Sequence, residues 1–141
     1  MSFNARTSGI ARAAGAVLAS LATIATASAQ NYAGQWRCEM ANQTVSNNAF
    51  ENWMYSFSLS LYGNGSFDAQ GQYYAQTNGF NMPFRAQGSW EAVQGGLLAK
   101  GQEQRQGYSG AFFLALTYYG PGNMGYRTST ASGNLATACR Q

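Results

Sequence analysis

Strict alternation of side-chain character governs this chain after its first thirty residues, and few folds accommodate it. Trp53, Tyr55, Phe57, Leu59 and Leu61 fall on one face, with Ser56, Ser58 and Ser60 on the other. That is the period-two pattern of a half-buried strand. Gly63-Asn64-Gly65 supplies a turn, and Phe67, Ala69, Gly71 and Tyr73 return against Asp68, Gln70 and Gln72. A third run sets Phe84, Ala86, Gly88 and Trp90 against Arg85, Gln87, Ser89 and Glu91. After Gln94-Gly95-Gly96 a fourth sets Leu97, Ala99 and Gly101 against Leu98, Lys100 and Gln102. Further strands are predicted over 34–40, 110–119, 124–129 and 135–140, which makes eight. The expected fold is all-β: a small eight-stranded antiparallel up-and-down barrel closed by one disulfide.

Three neighbouring strands share a small-residue signature, Ala69-Gln70-Gly71, Ala86-Gln87-Gly88 and Ala99-Lys100-Gly101. Alanine and glycine two apart share one strand face. Two readings stay open: the small residues leave room for a ligand inside the barrel, or they let tightly coiled strands close it. The intervals between them are unequal, which excludes a solenoid with a fixed repeat.

Residues 1–29 read as a cleavable secretory leader: Arg6 and Arg12, an apolar stretch from Ala13 to Ile24, then Ala27-Ser28-Ala29 as the cleavage site. Residues 30–141 form a single domain, expected in the periplasm or outside the cell. No stretch there is apolar for long enough to span a membrane as a helix. An outer-membrane barrel is rejected because Gln, Arg, Glu and Lys occupy the outward positions. Cys38 and Cys139, one near each end of the domain, are expected to pair in an oxidising compartment.

Charge and chemistry exclude more than they suggest. Without the leader, six basic and five acidic side chains remain, a net charge of +1. The basic residues are scattered, so no nucleic-acid partner is expected. The chain has no histidine, the commonest general base and metal ligand. Glu51 and Glu103 could pair as glycosidase-type carboxylates, but two solvated charges near loops is the stronger reading. Lys100 alternates outward, and Met40, Met54, Met82 and Met124 are dispersed. The protein is therefore expected to be no enzyme and to need no metal or cofactor.

Loop lengths point to one end of the barrel. Connections near 63–66, 93–96 and 120–123 are tight and glycine-rich; those near 41–51, 76–82 and 104–109 are expected to be longer. In an up-and-down meander the long ones share an end, making a rim that carries Phe50, Phe80, Met82, Arg105 and Tyr108. Trp36, Tyr73, Ala86, Gly88 and Trp90 are the candidate ligand contacts inside the barrel.

Gly34-Gln35-Trp36, at the start of the first strand, resembles the Gly-x-Trp signature that opens lipocalin- and avidin-like barrels. The resemblance implies that Trp36 closes one barrel end beneath an arginine from near the last strand, Arg127 or Arg140, in a cation–π contact. It also implies a small, hydrophobic ligand inside the barrel, below the long-loop rim. Ala33-Gly34-Gln35-Trp36 equally looks like the opening of small exported bacterial metalloprotease inhibitors. That likeness implies the second expectation: a protein-binding module, an inhibitor of a protease or lysozyme, using the rim as its contact surface.

Overall fold

The computed structural model describes residues 32–44, 52–75, 79–130 and 133–141. The proposed leader, Phe50 and Glu51 lie outside the described residues. Eight antiparallel strands make a closed barrel in chain order. They are β1 (Gly34–Thr44), β2 (Trp53–Leu61), β3 (Ser66–Ala75), β4 (Phe80–Val93), β5 (Gly96–Arg105), β6 (Tyr108–Gly120), β7 (Asn123–Thr130) and β8 (Gly133–Arg140).

Every inward face follows the alternation. Trp36, Cys38 and Met40 on β1, Tyr55 to Leu61 at every second position on β2, and Phe112, Leu114 and Leu116 on β6 are all buried. Cys38 stands opposite Cys139 across the β1–β8 seam, and the two form a disulfide. It joins the first strand to the last where the sheet closes on itself.

The small residues of β3, β4 and β5 pair with large ones, and this decides what they do. Gly71 sits between Phe57 on β2 and Phe84 on β4 in one cross-strand row. With no side chain between them, those two rings meet edge to face at 5.6 Å. Gly88 pairs with Gly101, and the flanking members of that row are Phe67 and Phe112. Their rings lie 5.9 Å apart, and Phe84 and Phe112 stack at 6.4 Å. Rings from four strands therefore fill the middle of the lumen. A Cβ on Gly88 would fall on the Lys100 carbonyl oxygen, and one on Gly101 on that of Gln87. A Cβ on Gly71 would meet the Ser56 carbonyl and the Phe57 backbone. These glycines let neighbouring backbones approach closely and admit rings from either side.

The two ends of the barrel differ. At the turn end, Trp36 donates its indole N–H to the Tyr32 carbonyl at 2.9 Å, and Trp90 donates to the Tyr62 carbonyl at 2.9 Å. Tyr32 also packs edge to face on Tyr118 at 5.5 Å. At the opposite end, here the mouth, the long loops expected from the sequence are shorter. Strand β5 runs to Arg105 and β6 begins at Tyr108, so 104–109 is a tight hairpin rather than a long loop. Gln106-Gly107 makes the turn, with Gly107 at a φ of 76°. Phe80 and Met82 likewise belong to β4, paired with Ala75 and Tyr73.

Candidate functional site

The mouth holds a polar and aromatic cluster that strand geometry brings together. Continuing the β5 alternation from Leu97, Ala99 and Gly101 places Glu103 and Arg105 on the inward face as well. Glu103 is consequently buried, with 4% of its surface exposed, and not a solvated loop charge. This corrects its expected place: the strand outlasts the point where its apolar residues stop. The Tyr55 hydroxyl, from β2 across the lumen, donates to the Glu103 carboxylate, with its two oxygens 2.9 and 3.0 Å away. Burial first, and the Glu103 charge second, push the Tyr55 phenol well above its usual range, so it stays a donor.

Arg105 closes the cluster. Its guanidinium lies between the rings of Tyr73, 3.8 Å from the centroid, and Tyr108, 4.2 Å away. One terminal nitrogen comes within 3.8 Å of Glu103, close enough for charge attraction but too long for a hydrogen bond. Its Nε is shielded from solvent and has no hydrogen-bond partner among the described residues. A stacked guanidinium keeps its N–H groups in the ring-parallel plane, where they can meet a planar acceptor. Around it, Tyr55 contacts Tyr73 at 5.0 Å, Phe84 at 4.8 Å and Trp53 at 5.3 Å between centroids.

The structure separates the residues singled out for ligand contact. Trp36 and Trp90 sit at the turn end and Tyr73 at the mouth, while Ala86 and Gly88 lie between, under phenylalanine rings. Among the rim residues, Arg105 and Tyr108 join the mouth cluster, and Phe80 is exposed at its edge. Met82 packs within β4, opposite Tyr73. The cation–π contact expected over Trp36 is instead this one at the mouth. Arg127 and Arg140 are exposed on the outer surface. Glu103 and Tyr55 were missed as partners, and only the extension of the β5 alternation by two residues would have found them.

A second feature lies in the barrel wall. Strand β6 pairs with β7 at Thr117–Gly125, Tyr118–Met124 and Gly120–Asn123, with a bulge between Tyr118 and Gly120. Toward the mouth the ladder stops, and a cavity of about 200 Å³ opens between the two edges. Met40, Leu114, Leu135 and Thr137 lie along it, with Phe113 and Tyr126 at its lips.

No family model, no curated protein and no solved structure matches this chain. What stands on the geometry alone is an eight-stranded, disulfide-closed antiparallel barrel with a filled middle and an arginine–tyrosine mouth.

Proposed function

We propose that this protein is an exported, non-catalytic binding module that engages a partner protein with the mouth end of its barrel, as an inhibitor of a protease or lysozyme would. One observation carries the reading. The lumen is occupied by Phe57, Phe67, Phe84 and Phe112, whereas the mouth holds the partly exposed Arg105 guanidinium against two tyrosine rings. Buried tyrosine and arginine anchors are the side chains that dominate protein–protein contacts. Phe80 and Tyr108 add exposed apolar area beside them. The disulfide fits the oxidising compartment that export implies.

A second reading rests on the Gly34-Gln35-Trp36 opening and the closed eight-strand meander, which together support a lipocalin- or avidin-like carrier of a small hydrophobic molecule. A ligand in the lumen would have to part the phenylalanine rings. Native mass spectrometry of gently purified protein separates the two. A co-purifying hydrolase, lost from the Arg105→Ala and Tyr108→Ala variants, supports the partner reading. A bound small molecule retained by both variants sinks it.

A further inference from the structure

We propose that the open edge between β6 and β7 accepts an extended polypeptide segment as an added strand. The inference goes beyond the mouth reading and concerns the barrel wall. Strand β6 is paired with β5 along its length, from Arg105–Tyr108 to Gly96–Thr117. Its other edge meets β7 only at Thr117 to Gly120 among the described residues. From 109 to 116, therefore, the alternate N–H and C=O groups that point away from β5 have no ladder partner on β7. The facing edge of β7, 126–130, is in the same position while its other edge stays paired with β8.

The chemistry of the opening selects the occupant. The cavity between the edges is lined by Met40, Phe113, Leu114, Tyr126 and Leu135, with no charged residue. At about 200 Å³ it is smaller than the roughly 300–1,000 Å³ of sites that enclose a small molecule. An acyl chain entering it would leave the strand-edge amides and carbonyls unpaired in an apolar cleft, at a cost for each group. An extended peptide meets both demands: its backbone continues the β6 ladder, and every second side chain drops into the cavity. Phe113, 56% exposed at the lip, gives the outward-facing side chains of such a strand an apolar neighbour. The occupant is thus a neutral segment of alternating aliphatic and polar residues.

The test uses the full disulfide-bonded protein and a synthetic peptide, acetyl-Thr-Val-Thr-Val-Thr-Val-Thr-amide, read by amide chemical shifts. Binding should perturb the β6 and β7 amides and leave β3 and β4 unmoved. N-methylating alternate peptide nitrogens should weaken it at least tenfold, as should Thr128→Arg, which places a charge in the cleft. Phe113→Ser, at an exposed position, carries the same test if Thr128→Arg does not fold. In the free protein, β6 amides facing β7 should exchange with solvent faster than those of β4. Equal protection would mean the chain already covers this edge, and the proposal fails. It also fails if the N-methylated peptide binds equally well, or if oleate binds the cleft and the peptide does not.

Discussion

The wall made by β3, β4 and β5 and the wall made by β6 and β7 end up opposite in character. In the first, pairing runs unbroken from Ser66–Ser89 to Ala75–Phe80 and from Phe84–Arg105 to Val93–Gly96. Glycines at 71, 88 and 101 let the backbones close up there, and the lumen beneath is filled with rings. In the second, pairing stops at Thr117–Gly125, two pairs beyond a bulge between Tyr118 and Gly120, and an apolar cleft lies past it. Small residues close a barrel wall here; a ladder cut short leaves one open. A consequence is that the β7–β8 hairpin depends on its far side, the β8–β1 ladder and the Cys38–Cys139 bond, for most of its attachment.

Removing that bond should give the largest effect. For a loop near 100 residues the chain-entropy model puts it at up to about 4.7 kcal/mol. In a Cys38→Ser/Cys139→Ser double variant the β7 and β8 amides should lose hydrogen-exchange protection before those of β3 to β5. A uniform loss over all eight strands would break the distinction between the walls. Next comes the closed wall itself. Gly101→Val drives side-chain atoms into the Gln87 carbonyl and should lower stability by about 3 kcal/mol in urea denaturation. A near-neutral result would mean that close approach is not what the glycine provides.

Glu103→Leu removes the acceptor for the Tyr55 hydroxyl and the charge facing Arg105, and should cost about 2 kcal/mol. Glu103→Gln, which retains an acceptor, should cost less; if the two cost the same, the hydrogen bond is not what matters. The alkaline limb of the stability curve follows from Tyr55. Its folded pKa lies above its unfolded value near 10. The folded state therefore holds a proton that the unfolded chain releases. The stabilisation is complete below pH 10 and declines as the pH rises past it, so Tyr55→Phe should flatten that decline in urea midpoints. The smallest effect belongs to the open wall: Thr128→Val at the cleft should change stability by no more than about 0.5 kcal/mol. A larger loss there would show that the cleft is a packed part of the barrel.

Much of this architecture is legible in residue order because a strand's facing is a local property. The run Trp53 to Leu61 and its return from Phe67 to Tyr73 assign inward and outward positions without reference to anything distant, and the structure keeps every one. Glu103 and Arg105 were harder to place because polarity and periodicity disagree there. Their spacing continues the inward face, but their charge argues for a loop, and the longer strand prevails because Tyr55 and two tyrosine rings receive them. The divergence of β6 from β7 leaves no trace in either strand's own pattern. It depends on how far the β6–β7 pairing reaches, and that pairing ends at Thr117–Gly125.

The sequence by itself determined the number of strands, the facing of β1 to β4 and of β5 as far as Gln102, and the pairing of two cysteines that have no other partner, since each follows from period-two geometry or simple counting. Only the tertiary structure decided what the Ala-x-Gly positions are for. Whether a missing side chain leaves a void depends on what neighbouring strands send into the space, and here Phe57, Phe67, Phe84 and Phe112 fill it. It also decided where the wall stays open, because closure of a barrel is a property of all eight strands together.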